Sequence, residues 1–308
     1  MKVERNKACL ACGNEKNNTT FVAQEKMLGL GGSFEYLNCD ACKSIQLVDI
    51  PADMDAYYPS NYYAFGNLVE SHGLMNVVKK LRKTLFDRNL WVFGYPEYYK
   101  WLAPIEIEKD ASIADIGCGN GQLVYELKWA GFKNLYGFDP YLPEEKSMEG
   151  LRLERKDVYK VSGQYDLVML HHSFEHMENP VQVMEKLNTI LKKGGKLLIR
   201  VPVTDAEVWK QEKTDWFQID APRHFFIPSK NAMKILGEKC GLKLTQVIFD
   251  SNEFQFIITD MYKNNQPMIG NNPNKSVNRE TRVKLQQKAK ILNATDQGDQ
   301  ACFYFEKA

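Results

Sequence analysis

Two sets of side chains in this sequence have the types and spacings that do chemistry. Cys9-x2-Cys12 and Cys39-x2-Cys42 offer four thiolates from two tight turns, the ligand set of a tetrahedral zinc ion. Asp115-Ile116-Gly117-Cys118-Gly119-Asn120-Gly121 is a glycine loop, and His171, His172, His176 and His224 follow it. Glycines there let the backbone turn sharply and approach a ligand with no Cβ in the way. Imidazoles near neutral pKa can take a proton from a nucleophile.

A redox pair would need one CxxC beside a βαβ unit, whereas here two occur without one. Cys9, Cys12, Cys39 and Cys42 are therefore read as a structural zinc site. Thr19–Ala23 and Phe34–Leu37 flank Gly29-Leu30-Gly31-Gly32, a hairpin that would hold the two cysteine turns together. So small a segment has little core, and the metal would supply most of its folding free energy. The other three cysteines, Cys118, Cys240 and Cys302, are scattered, so the seven fit a reducing compartment rather than a disulfide framework. The segment Asp55–Phe65 carries Tyr57, Tyr58, Tyr62, Tyr63 and Phe65. These rings either pack the small module onto the rest or line an acceptor pocket, where a hydroxylated ring stacks and hydrogen-bonds.

The elements that must position this chemistry alternate between strand and helix from residue 112, as in a parallel sheet with right-handed crossovers. Ser112–Ile116 reads as a buried strand and Gln122–Trp129 as the helix after the loop. Leu135–Asp139 reads as the second strand, ending in an acid 18 residues after Gly121 that can take both ribose hydroxyls of an adenosine. A dinucleotide fingerprint would want glycine where Gln122 stands, so the GxGxG spacing suits a ligand with no pyrophosphate. Asp157-Val158 follows where an adenine amino group could be read. Tyr165–Leu170 is a third strand running into the histidines. Asn179-Pro180 caps a helix that Gly194-Gly195 would end, and Lys196–Pro202 is a further strand. Trp216–Phe226 is an aromatic loop, Ser229 caps a helix to Cys240, and Leu242–Phe249 and Ala301–Phe305 are the closing strands. Between Leu74 and Val92 apolar residues at helical spacing oppose Lys79, Lys80, Arg82, Lys83 and Arg88, a solvated face or a contact for phosphate groups.

The expected fold is therefore α/β, a Rossmann-like seven-stranded sheet with the last strand antiparallel, behind a small zinc-ribbon-like module. Residues 1–66 would form the module and aromatic linker, and 67–308 the catalytic domain. That domain would have a helical lead-in at 67–110 and an inserted charged helix at 274–292, to which no chemistry is assigned. The formal charge of +1 over 308 residues argues against a dedicated nucleic-acid binder. No signal peptide is evident, and no run reaches the about 20 apolar residues of a spanning helix, so a cytoplasmic protein is expected.

IADIGCGNG, YGFDP, YDLVMLHHSFEHMENP and LKKGGKLLIRVP, in this order over residues 112–202, resemble the successive motifs of class I S-adenosylmethionine-dependent methyltransferases. The cysteine pairs and tyrosine-rich linker are similar to zinc-containing methyltransferases among sugar- and polysaccharide-modifying enzymes. The resemblance implies Gly117, Gly119 and Gly121, with Asp115 beside them, around the methionine end of S-adenosylmethionine. It also implies Asp139 on the ribose, Asp157 and Val158 at the adenine, and His171 near the sulfonium. His224 is the first candidate for the base; a loop histidine bonded to backbone is the plainer reading. Glu175-His176 is the second candidate, or else a helix-start brace for the cofactor loop. In the zinc-containing sugar C-methyltransferases a Glu-His pair occupies the loop of His224, but here Arg223 stands at the Glu position. That favours O-methylation slightly over C-methylation and suits an anionic acceptor.

The resulting expectation is methyl transfer to a small polar acceptor, a sugar or nucleotide sugar, with nucleic acid not a partner and the oligomeric state open. The alternatives are an RNA or protein methyltransferase docking through the zinc module, or a non-catalytic binder of the cofactor.

Overall fold

The computed structural model describes residues 8–59, 66–88, 90 and 94–308. The N-terminal module is an antiparallel sheet of β1 (Thr19–Gln24), β2 (Ser33–Asn38) and β3 (Ile45–Leu47). β1 and β2 form the expected hairpin, in register from Thr19 opposite Asn38 to Gln24 opposite Ser33.

The catalytic domain contributes β4 (Ser112–Ile116), β5 (Asn134–Phe138), β6 (Lys146–Met148), β7 (Leu151–Glu154), β8 (Tyr165–His171) and β9 (Leu191–Pro202). β10 (Phe226–Ile227), β11 (Leu242–Phe249) and β12 (Gln300–Lys307) follow. The main sheet runs β11-β12-β9-β8-β4-β5-β7-β6. β4, β5, β7, β8 and β9 are parallel, while β12 lies antiparallel between β9 and β11. The sheet thus has eight strands where seven were expected. The extra one, β6, is a three-residue antiparallel strand on the edge beside β7, too short to leave an alternation in the sequence. β10 leaves this sheet and pairs with β3 instead, Phe226 opposite Gln46. A loop of the catalytic domain therefore completes the sheet of the module, and a boundary near residue 66 divides the chain without dividing the packing.

Helices α1 (Leu74–Asp87), α2 (Tyr98–Leu102), α3 (Gln122–Trp129) and α4 (Pro180–Ile190) are followed by α5 (Glu207–Glu212), α6 (Lys230–Lys239), α7 (Phe254–Lys263) and α8 (Arg279–Ala294). Their caps are those the sequence announces. The Asn179 side chain accepts from the Gln182 amide with Pro180 at the first position, and Ser229 accepts from the Ala232 amide at 2.9 Å. α4 ends at Ile190; Gly194 and Gly195 fall inside β9 rather than closing the helix. Among the described residues no helix is long and apolar enough to cross a membrane.

α1 is turned the opposite way from the expectation. Leu74, Val77 and Leu81 are exposed, whereas Lys79 and Lys83 are buried. Lys79 reaches Glu126 of α3 at 2.6 Å and Lys83 pairs with Asp87 and lies 5.3 Å from the Tyr99 ring. Carboxylates and aromatic faces on α1 itself and on the neighbouring α2 and α3 draw the ammonium groups inward. Neither a solvated lysine face nor a phosphate contact describes Lys79 and Lys83. The helix also stops before Val92, which lies outside the described residues.

Candidate functional site

The chain runs β4, β5, β7 to one side of the sheet and then crosses to β8 on the other side of β4. A cleft opens outside the carboxyl ends of the strands at such a reversal. Here it measures about 410 Å³ and is lined by the loops after β4, β5 and β8 together with Tyr58 of the aromatic segment.

One side of the cleft is made chiefly of backbone. Gly117 has φ +74, and a Cβ there would lie 2.4 Å from the Cβ of Ser173. Gly121, at φ +81, would meet Leu153 at 2.5 Å. Only glycine fits either position. Asp139 clasps the loop, accepting from the Gly119 amide at 2.9 Å and the Tyr141 amide at 2.8 Å. Burial raises its pKa although both amides and His176 pull the other way. Asp115 sits beneath, fully buried, with Oδ1 lacking a hydrogen-bond partner. Burial, then Asp139, pushes its pKa up to about 7. An unpaired carboxylate at this depth fits a ligand carrying positive charge. His171 closes the floor with both ring nitrogens buried and unpartnered and its ring 4.7 Å from that of Trp101. Burial, then Arg200, keeps this imidazole well below its ordinary pKa and hence neutral.

The other side is made of side chains from distant segments. His172 has φ +52, a strained conformation for a non-glycine residue. Its Nδ1 lies 3.2 Å from the fully buried Glu175. Burial alone would raise the Glu175 carboxyl, but the His172 hydrogen bond and the fields of His172, His224 and His176 hold it down, to about 2. His176 donates from Nδ1 to the Arg223 carbonyl at 2.9 Å and stands 3.3 Å from the Tyr58 hydroxyl. Burial, then His224, lowers its pKa. His224 lies one layer back, its ring centroid 4.7 Å from that of His176, with Nδ1 on the Gln218 carbonyl at 2.7 Å. The Tyr36 hydroxyl of β2 donates to the His224 carbonyl.

Arg223 corrects an expectation. It is fully buried, with Nη2 on Glu25 at 2.9 Å and on Asp220 at 2.6 Å and Nε on Asp220 at 3.0 Å. Two carboxylates saturate this guanidinium, so it is not available to an anionic acceptor. Its task is to hold the loop carrying His224 against the module that supplies Glu25.

Asp157 and Val158 are placed elsewhere. Asp157 accepts from the Tyr159 and Lys160 amides as the cap of a 3-10 turn, Val158 is buried in the core, and neither lines the cleft. The sequence reading passed over Asn120, Tyr141, Ser173 and Met177 as lining residues, and over Asp220 and Glu25 as supports. The first four adjoin recognised motifs, which was their only signal. Glu25, far away in the chain, had none. Of the aromatic segment, Tyr58 lines the cleft and Tyr57 packs on Phe34, while Tyr62, Tyr63 and Phe65 lie outside the described residues.

At the far end of the module Cys9 and Cys42 place their sulfurs 3.5 Å apart, as do Cys12 and Cys39. All four lie within 4.8 Å of one another. A tetrahedron of sulfurs about 2.3 Å from zinc has edges of about 3.8 Å, so the donor set and its size fit that ion.

A family profile described as a methyltransferase domain matches residues 94–247, half of the chain. A tRNA U34 carboxymethyltransferase of Helicobacter acinonychis is 28% identical over 156 residues, covering 46% of this chain and 59% of that protein. One from Campylobacter fetus is 24% identical over 188 residues, covering 56% and 64%. The chain thus spans about three fifths of the length of the curated relatives it matches. Among solved structures, magnesium protoporphyrin IX methyltransferase from Synechocystis with bound S-adenosylhomocysteine aligns over 83% of this chain and 96% of that one, at 11% identity and TM-score 0.46. The expected sugar or nucleotide-sugar acceptor, and with it the exclusion of nucleic acid, is overturned by the curated relatives, which are named for a tRNA substrate. Net charge misled because phosphate binding depends on local placement of cations, which a chain total near zero does not report. The matched domain and the glycine-and-acid cleft at the sheet reversal lead to one conclusion: the chain belongs to the methyltransferase-domain family, the class I S-adenosylmethionine-dependent enzymes.

Proposed function

We propose that this protein transfers the methyl group of S-adenosylmethionine to a nucleotide of an RNA, with tRNA as the substrate class. The observation that carries the reading is the make-up of the cleft. A cradle of Gly117, Gly119 and Asp139, backed by Gly121 and the buried Asp115, faces a mouth of tyrosines and histidines. Tyr58 and Tyr141 lie near parallel there, 18° apart with centroids 6.4 Å from each other. Aromatic faces at a cleft mouth suit an unstacked base, and sequence-specific RNA recognition favours bases splayed out of a helix. The tRNA-directed names of the curated relatives support the same substrate class.

S-adenosylmethionine supplies an activated methyl on a sulfonium. The Asp115 carboxylate and neutral His171 would hold the charged end of the cofactor, and Asp139 its ribose. Glu175, His176 and His224 form the catalytic group on the acceptor side. Their task is to make the acceptor a better nucleophile, while the rigid loops hold the two reactants in line. Among the described residues lining the cleft there is no Lys or Arg. Without a permanent cation to hold a carboxylate on the transferred group, methyl is favoured over carboxymethyl. In the module, Cys9, Cys12, Cys39 and Cys42 hold a structural zinc ion, which keeps Tyr36 and Glu25 in place behind the histidine loop.

The test is incubation of the full chain and methyl-labelled S-adenosylmethionine with total RNA, followed by nucleoside mass spectrometry. Label in a methylated nucleoside of tRNA is expected. Tight S-adenosylhomocysteine binding with no label in any RNA fraction would remove the RNA reading, and a carboxymethyl product would correct the transferred group.

A further inference from the structure

We propose that Glu175, His176 and His224 bind one divalent first-row transition-metal ion at the acceptor side of the cleft, a site separate from the four cysteines. The proposal deepens the preceding reading and rests on it for where the acceptor lies. One ligand atom from each of the three residues lies within 4.8 Å of the others. They come from two segments, the 3-10 turn Phe174–His176 and the loop before β10, which are held together by the Phe225 amide donating to the Glu175 carbonyl at 2.7 Å and His176 Nδ1 donating to the Arg223 carbonyl.

Three features distinguish this cluster from a chance meeting of polar groups. Glu175 is fully buried, yet its Oε2 has no hydrogen-bond partner, and a bare buried carboxylate oxygen needs a cation. Each imidazole hands its Nδ1 proton to a backbone carbonyl, that of Arg223 at 2.9 Å for His176 and that of Gln218 at 2.7 Å for His224. This fixes the tautomer in which Nε2 keeps its lone pair, the outer-sphere arrangement that orients metal-binding histidines. Two imidazoles and one carboxylate also make the ligand set that leaves coordination positions open on Fe(II), Mn(II), Co(II) or Zn(II).

His224 Nε2 stands 4.0 Å from Glu175 Oε1. Ligands about 2.1 Å from one ion stand about 3.0–3.4 Å apart, so binding draws that pair together by about 0.6–1 Å and any pair at the 4.8 Å limit by up to about 1.8 Å. Small rotations of His176, which faces the cleft, and of Glu175 supply that. His172 hydrogen-bonds the same Oε1 and steadies the carboxylate, leaving Oε2 unpartnered, while Asp220, 3.8 Å from His224 Nε2, is already committed to Arg223. The open positions face the side where His172 and His176 line the cleft, so a heteroatom of the acceptor could complete the shell.

The experiment is a titration of the metal-stripped, reduced full chain with Co(II) alone, read by absorption and by metal analysis. Two equivalents are expected. One carries the intense thiolate-to-cobalt band of the cysteine site, and the other shows only weak ligand-field bands. Glu175→Gln and His224→Ala should each weaken the second equivalent by about 10-fold or more and leave the thiolate band unchanged, which also reports an intact module. A single equivalent in the wild-type chain, all of it thiolate-bound, overturns the proposal and leaves the three residues as a proton relay. So does a second equivalent whose affinity is unchanged in both variants. Labelled RNA with only one equivalent of metal defeats this inference alone; two equivalents with no labelled RNA defeats the RNA reading alone.

Discussion

The two sides of the cleft are built on different principles. The proposed cofactor side rests on one short stretch in which backbone amides and missing side chains do the work, Gly117, Gly119 and Gly121, closed by Asp139 at the end of the next strand. The acceptor side gathers side chains from four places in the chain, Glu25, Tyr58, the turn at 172–176 and the loop at 218–224. It is tied down by the buried Arg223–Glu25 ion pair between the cysteine module and the catalytic domain, braced by Asp220. On the proposed assignment, binding the methyl donor is a local property of this fold, whereas the surface that meets the acceptor depends on how two parts of the chain pack.

The comparison breaks most sharply at Arg223. Arg223→Ala leaves Glu25 and Asp220 as buried, uncompensated charges and should cost about 3–5 kcal/mol in denaturant unfolding. Under conditions where the variant is still folded, S-adenosylhomocysteine binding by calorimetry should remain within a few-fold of wild type. A loss of cofactor binding as large as that of Gly117→Ala would show that the two sides are not separable. Gly117→Ala attacks the opposite side. The new Cβ meets Ser173 at a backbone angle that disfavours side chains, for an expected loss of about 2–3 kcal/mol spread over stability and cofactor affinity.

Smaller effects sharpen the contrast. Tyr58→Ala should raise the KM for RNA by about 10-fold and leave cofactor affinity alone, because a lost stacking face is worth about 1–3 kcal/mol per base; Tyr58→Phe keeps the face and should recover most of it. Asp115→Asn tests the cofactor side by pH. The Asp115 carboxyl is raised from its ordinary range to about 7, so the folded state favours its protonated form. The destabilisation is absent below the unfolded pKa, grows as pH rises, and is complete above about 7. Without cofactor, Asp115→Asn should therefore stabilise the protein by up to about 4 kcal/mol at pH 8 and by no more than about 2 kcal/mol at pH 5, read as the shift in Tm at the two values. An equal shift at both would show that the carboxylate is not under strain.

Legibility followed the same division. The glycine loop, the caps at Asn179 and Ser229 and each CxxC pair were readable, since each is set by residues within a few positions of one another, and Asp139 was readable because it ends the strand that follows the loop's helix. Asp157 was in the expected place in the chain but caps its own turn, because a short acid bonds the nearest amides first. The periodicity of α1 was visible, yet the face it buries was not, since Glu126 and Tyr99 lie on other elements. The acceptor class was misjudged from net charge and from a resemblance in the module.

The sequence by itself determined a parallel sheet, a glycine loop at the end of its first strand, and four thiols at zinc-binding spacing, because local sterics and hydrogen bonding specify all three. Only the tertiary structure decided that β10 joins the sheet of the module, that Arg223 is locked between Glu25 and Asp220, and that Glu175, His176 and His224 converge. Those arrangements depend on burying charge against charge across long sequence separations, and the cost of an unpaired buried ion selects the partner without leaving a pattern along the chain.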